Sequence, residues 1–328
     1  MNSNSLSFSP PSRPQPTGRS TPRIPPGVEY HRVFAGERRR IGRGVFAILL
    51  LLVGMFAFSI AIGRSVTALG DHFGYSGGVY SPLQHGAGMF SLALLIPWSM
   101  LIQRWLYGMQ GASLHSVVSG FRWDLFARAL LFIGPLWLAV AVTQSLWIPK
   151  EQTFWSVADL VAMLALTLLL TPLQSAGEEY GFRGLVFRIA GGWARGPRAA
   201  LVLGVLVSSL AFVLAHASTD PWYNVWYFTF AAGTALITWR TGGLETAIVL
   251  HALNNTLLFL FDIGMHTDFS TLFDRAAGSA SAALIVPCVS AVAVTAVVWW
   301  RTRESGPALT PSEPGPPFAE RDSRSQGR

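Results

Sequence analysis

The sequence predicts an all-α, polytopic transmembrane helix bundle of about eight spans with a polar cavity between its helices. Three observations carry that expectation. The chain is 51% hydrophobic and only 12% charged over 328 residues, with mean hydropathy +0.41, whereas soluble domains carry roughly 25% charged residues. Its apolar runs reach the roughly 20 residues that a bilayer crossing needs. Within three successive runs lie groups that are costly at membrane depth and therefore mark function by default: Glu178, Glu179 and Arg183, then His216, then His251 with Asn255.

In chain order, residues 1–42 are rich in Pro, Ser and Arg, lack apolar periodicity and are expected to form a disordered cytoplasmic tail. The first apolar segment begins near Val45, far from the start, so no cleavable signal peptide is expected. A transmembrane domain then fills residues 43–302, its catalytic core at about 150–262. Spans are expected at 45–63, 86–106, 126–147, 156–175, 199–217, 223–239, 244–262 and 279–300. Residues 176–192 read as a short, partly polar helix that opens with the glutamates and ends near Gly191 and Gly192; such a segment survives at membrane depth only under a cover of protein. Residues 303–328 form a second tail, also expected to be disordered and cytoplasmic.

Charge gives the orientation. Arg32, Arg38, Arg39, Arg40 and Arg43 precede the first span, Arg104, Arg122 and Arg128 lie between the second and third, and Arg188, Arg195 and Arg198 precede the fifth. Arg240 follows the sixth and Arg301 and Arg303 the eighth, so all fall on one side, which the positive-inside rule makes cytoplasmic. Both termini belong there, in what reads as a bacterial cytoplasmic membrane. Trp98, Trp105, Trp137, Trp147, Trp222, Trp226, Trp239, Trp299 and Trp300 fall mostly near span ends, as an interfacial belt requires. The net charge of +7 sits in tails and loops, which points to the bilayer as a partner and away from nucleic acid. The lone Cys288 excludes an intrachain disulfide framework and a thiolate metal cluster and reads as a packing residue.

The chemistry lies in the three polar patches. Glu179 and Arg183 are four apart and can pair across one helix turn. Glu178 is rotated by about 100° from Glu179 and points elsewhere. Phe212 and His216 share a face of the fifth span, and His251 and Asn255 share a face of the seventh. Either histidine alone reads as packing or interhelical hydrogen bonding; the glutamates beside them make one site the better reading. Carboxylates, imidazoles, an amide and a guanidinium are the groups that activate water and stabilise an oxyanion. Three alternatives stay open: a zinc protease with Glu178, His216 and His251 as ligands, a non-enzymatic immunity or partner-binding protein, and a transporter using the cluster as a proton relay. The zinc reading lacks a His-Glu-x-x-His helix, and the transporter reading lacks a visible inverted repeat. Other polar positions read as structural. Asp159 lies at an interface, Glu245 and Thr246 open the seventh span as dipole compensation, Asn254 packs on a neighbouring helix, and His72 and His85 lie in the first external loop.

Glu-Glu-x-x-x-Arg at 178–183, Phe-x-x-x-His at 212–216 and His-x-x-x-Asn at 251–255, in this order, resemble the signature of the CPBP family, which contains CAAX prenyl endopeptidases and bacteriocin-processing or abortive-infection proteins. The resemblance covers roughly residues 150–262, and Glu-Glu-Tyr-Gly-Phe-Arg-Gly extends it beyond the charged positions. It implies an intramembrane glutamic endopeptidase that acts on a peptide or membrane-protein substrate with no cofactor and no metal. By the same resemblance, Glu178 is the general base, His216 holds the water, His251 and Asn255 donate to the oxyanion, and Glu179 and Arg183 support them with Phe212. Burial favours a protonated Glu178 and the nearby arginine an ionised one; the sequence leaves that balance open.

Overall fold

The structure, a computed structural model, describes residues 24–35, 40–74, 80–148 and 150–312. Arg38 and Arg39 of the first arginine cluster, and most of both tails, lie outside the described residues. The helices are α1 (Ile41–His72), α2 (Pro82–Ala93), α3 (Leu95–Tyr107), α4 (Trp123–Trp147), α5 (Val157–Glu179), α6 (Phe187–Gly191), α7 (Pro197–Ala215), α8 (Pro221–Thr241), α9 (Glu245–Gly264), α10 (Phe269–Leu272) and α11 (Ile285–Arg301). Among the described residues the only β pairing is three isolated bridges. Helix ends follow local chemistry. Ser81 and Gln84 form a capping box ahead of Pro82, and Asp220 caps α8 by accepting from the N–H groups of Trp222 (2.8 Å) and Tyr223 (3.2 Å). Gly242 closes α8 at φ 69°, a left-handed conformation that glycine adopts without strain.

Seven helical segments are long and apolar enough to span: α1, α2 with α3, α4, Val157–Gly191, α7, α9 and Ala282–Arg301. The chain is an integral membrane protein. The expected sixth span forms as the helix α8, but Asn224, Arg240 and its threonines keep it out of that set. It packs between α7, α9 and α11. A second correction concerns residues 176–192. They are not a separate helix: α5 runs without a break through a π-helical stretch, Tyr180–Val186, into α6. The wider π turn adds a residue without a sequence signature. Its Phe182 carbonyl accepts from both the Phe187 N–H and the Ser208 hydroxyl of α7, the latter at 2.9 Å.

Helices α5 and α9 pack together at the centre, with α2 against α5 and α4 against α9. The outward faces are apolar, with Leu131, Phe132, Leu169 and Leu214 exposed. Polar groups are enclosed instead, as a lipid-facing bundle requires. Trp105, Trp123, Trp147, Trp299 and Trp300 are exposed at helix ends, but Trp98 and Trp137 leave the expected belt. Trp98 donates to the Leu50 carbonyl at 3.1 Å and Trp137 to Asn254 at 3.2 Å. His85 is not in a loop; it is fully buried on α2, between Tyr80 Oη and Thr167 Oγ1, both at 3.0 Å. Glu245 compensates no dipole alone. It binds Arg122 through both oxygens, at 2.9 and 2.7 Å.

The expectation of disorder fails for the described parts of both tails. Tyr30 is wholly buried, donates to the Leu114 carbonyl at 2.5 Å and lies under the Arg188 guanidinium, 3.9 Å from its ring centre. Thr310 N donates to the Val28 carbonyl (2.9 Å), Val28 N to Thr310 Oγ1 (2.9 Å), and Gly27 N to the Thr310 carbonyl (3.0 Å). The segments around Val28 and Thr310 thus clasp each other. Composition hides this because the contacts rest on single residues within polar stretches.

One prediction arises here. The His31 imidazole is enclosed and stacked on Phe187 at 5.3 Å. Burial first, and Arg32 second, hold it down at about 4 from an ordinary 6.5, against an opposing contact with the Pro197 backbone. With the folded value below the unfolded one, the undocked segment binds more protons between pH 6.5 and 4. Stability is therefore full above about pH 6.5 and falls as the pH drops through that window, by up to about 3 kcal/mol. Melting in detergent from pH 7.5 to 4.5 should show this slope, and His31→Phe should flatten it. Parallel slopes in both proteins would overturn the assignment.

Candidate active site

The expected residues converge where α5 enters its π turn, against α7, α8 and α9. Glu179 is fully buried, with Oε1 2.7 Å from His251 Nδ1 and 3.3 Å from Arg183 Nη1. A carboxylate accepts, so Nδ1 donates on this contact. Arg183, also fully buried, donates from Nε to Thr234 Oγ1 at 2.8 Å. Its guanidinium carbon lies 4.2 Å from the centre of the Phe212 ring and 5.9 Å from that of Phe230. Aromatic faces stabilise a desolvated cation by up to about 2 kcal/mol. The expected i, i+4 pair is present, and an aromatic clamp accompanies it.

Glu178 faces differently, as its rotation on the helix requires. Its Oε1 accepts from Gln174 Nε2 at 2.8 Å, while Oε2 lies 3.5 Å from His251 Nε2 and has no hydrogen-bond partner. One imidazole therefore bridges both carboxylates. Asn255 reaches the same wall: Nδ2 donates to Gln174 Oε1 at 3.0 Å and approaches Ser175 Oγ at 3.4 Å, and Oδ1 accepts from Asn254 at 2.9 Å.

His216 hydrogen-bonds to neither carboxylate, although the charge of Glu178 reaches it. It caps α7, its Nδ1 donates to the Phe212 carbonyl at 2.9 Å, and its ring lies 4.0 Å from that of Tyr227 and 4.5 Å from that of Phe212. Phe212 joins it to the cluster, since the same ring sits 6.0 Å from His251. Phe212, expected only as a supporting neighbour, is thus the shared wall of Arg183, His216 and His251. The histidine beside Glu178 is His251.

Sequence reasoning missed Gln174, Ser175 and Thr234. Gln174 was findable: it lies one turn before Glu178 in an otherwise apolar run. Thr234 gave no signal, since threonine is common in membrane helices. Among the described residues, no three His, Cys, Asp or Glu side chains converge as a metal-binding group.

Residues 158–257 match the family model described as type II CAAX prenyl endopeptidase Rce1-like. That stretch is similar to this family. The matched stretch takes in α5, the π turn and α6 to α8 and ends in α9, so it contains all seven expected site residues. The chain also resembles a Bacillus subtilis (strain 168) protein, the uncharacterized protein YyaK, at 30% identity over 112 residues. That likeness covers 33% of this chain and 36% of the relative. No solved structure matches the chain.

Proposed function

We propose that the protein is a membrane-embedded endopeptidase that hydrolyses a peptide bond of a peptide or membrane-protein substrate with water activated at Glu178. The carrying observation is the free Oε2 of Glu178, buried beside His251 while Oε1 is fixed by Gln174. An acceptor held at one oxygen and open at the other is oriented to take a proton from water. Glu179 fixes the His251 ring, and Arg183 balances the charge of Glu179. His251 Nε2 then lies where it can steady the water or meet the developing oxyanion. Asn255 is the second oxyanion donor, reaching substrate by leaving Gln174. His216, at the end of α7, lines the approach with Tyr227 and Phe212 and positions the water from that side. The Rce1-like match supports this chemistry at the level of a CAAX-protease-like enzyme.

Purified protein in detergent, presented with a peptide library, should cleave at a defined set of bonds, and strong chelator should leave the rate unchanged. Loss of cleavage in chelator, restored by zinc and not by magnesium, would return the metalloprotease reading to first place. No cleavage of any peptide or membrane-protein substrate would favour a binding role for the cluster.

We also place the protein in a bacterial cytoplasmic membrane with both termini cytoplasmic, because the arginine-bearing loops fall at one end of the bundle. Reporter fusions near 115, 195 and 310 should read internal and those near 75, 150 and 270 external. Reversal at two or more sites would sink this orientation.

A further inference from the structure

A line of polar side chains on α5 runs away from Glu178 toward the end of the bundle opposite the arginine-bearing loops. Thr167, Thr171, Gln174, Ser175 and Glu178 follow one another at spacings of three or four residues, with Ser175 beside Gln174, and therefore share one face. All are buried, Thr167, Thr171 and Ser175 completely. Around them the lipid-facing positions, Leu168, Leu169 and Leu173, are apolar and exposed. Isolated hydroxyls inside a membrane bundle need partners, and this face is only partly satisfied. Thr167 meets His85 Nε2, and Ser175 donates to Gln174 Oε1 at 3.1 Å. The hydroxyl of Thr171 and Oε2 of Glu178, at the middle and the deep end, have no hydrogen-bond partner, and Oε2 has only His251 Nε2 3.5 Å away. At the outer end His85 Nδ1 meets Tyr80 Oη, and Tyr80 is partly exposed.

A fully buried polar atom without a protein partner is ordinarily satisfied by water that also needs other polar partners nearby. At 1.5 Å per residue, Thr167 and Glu178 are about 16 Å apart along the helix, a gap that Thr171 and Gln174 divide into hydrogen-bonding steps for a short water chain.

We propose that this face of α5, opening at Tyr80 and His85, is a water file that delivers the hydrolytic water to Glu178 from the end of the bundle opposite the arginine-bearing loops. The inference rests on the hydrolase reading. Thr171 is its positioning residue: it touches neither substrate nor carboxylate and acts by holding a water in line.

Radiolytic hydroxyl-radical labelling of the purified full-length protein in detergent tests it, because radicals form from water in place. Met163 is fully buried and lies one turn before Thr167 on the same face, whereas Met265 is exposed and serves as reference. Met163 should label readily despite its burial, Thr171→Val should lower that labelling several-fold with Met265 unchanged, and Thr171→Ser should restore it. In turnover, Thr171→Val should lower kcat while KM holds. Should Thr171→Val fail to fold, the wild-type labelling alone decides. An unlabelled Met163 in the wild type, or equal labelling in Thr171→Val, overturns the file even if the enzyme turns over. Labelling as expected in a protein that cleaves nothing leaves the file standing and removes the hydrolase reading instead.

Discussion

Glu178→Gln should lower hydrolysis by about 10²–10⁴-fold, the contribution of a positioned general base, while the protein still folds and melts near the wild-type temperature. Glutamine keeps the size of the side chain and an oxygen for the Gln174 amide, but cannot take a proton from water. Its neighbour should behave differently. Glu179 is the ionic partner of Arg183 and the acceptor for His251, so Glu179→Gln strands a guanidinium that is completely enclosed. Removing one member of a buried pair costs about 3–5 kcal/mol. The Thr234 hydrogen bond and the Phe212 face offset part of that loss, and the variant should melt lower as well as turn over more slowly. Melting temperature and turnover, measured together for the two variants and for His216→Ala, separate the roles. A fully active Glu178→Gln beside a stable, inactive Glu179→Gln would exchange them. Full activity in both would end the hydrolase reading.

Gly177→Ala should be the most destabilising single methyl addition in the core. A Cβ at this position would sit 2.1 Å from the Leu92 carbonyl oxygen, 3.0 Å from its carbon and 3.2 Å from Ala93 Cα. These are backbone atoms at the junction of α2 and α3, so no rotamer change relieves the contact and the helices must separate. The expected loss is about 3 kcal/mol or more, the upper end of overpacking penalties. Because Glu178 is the next residue, the displacement also carries the base out of register and activity should fall with stability. Gly134→Ala on α4 is the control: nothing lies within 4 Å of its Cβ position, and alanine favours the helix by about 1 kcal/mol. An unchanged melting temperature for Gly177→Ala would mean that α5 does not approach the α2–α3 junction this closely.

Much of the candidate site's arrangement was legible because membranes make polar residues conspicuous. Glu178, Glu179, Arg183, His251 and Asn255 stood out against apolar runs, and helical periodicity alone paired Glu179 with Arg183 and turned Glu178 aside. Periodicity could not show which imidazole meets which carboxylate. That depends on how α7 and α9 are rotated and raised against α5, which is decided by packing across the bundle. The π turn was invisible because one extra residue in a helix changes no composition. His85 was misplaced because hydropathy alone cannot separate a loop histidine from one that opens a helix and turns inward. Gly177 looked like a neutral spacer, since the backbone it accommodates belongs to a segment more than eighty residues away.

The clasp between Val28 and Thr310 constrains the membrane crossing count without reference to any apolar run. Two backbone segments that share hydrogen bonds occupy the same side of a bilayer, so the polypeptide joining them crosses an even number of times. Seven segments qualify by length and hydropathy, which is odd, and α8 is the remaining helix of sufficient length to restore parity. A helix bearing Asn224 and Arg240 gains little from lipid by itself. Its burial against α7, α9 and α11 implies that it enters as half of a hairpin with a more apolar neighbour. Insertion of this bundle is then a cooperative event in its second half, and the helix that holds Thr234 against Arg183 is the one least able to enter the membrane alone.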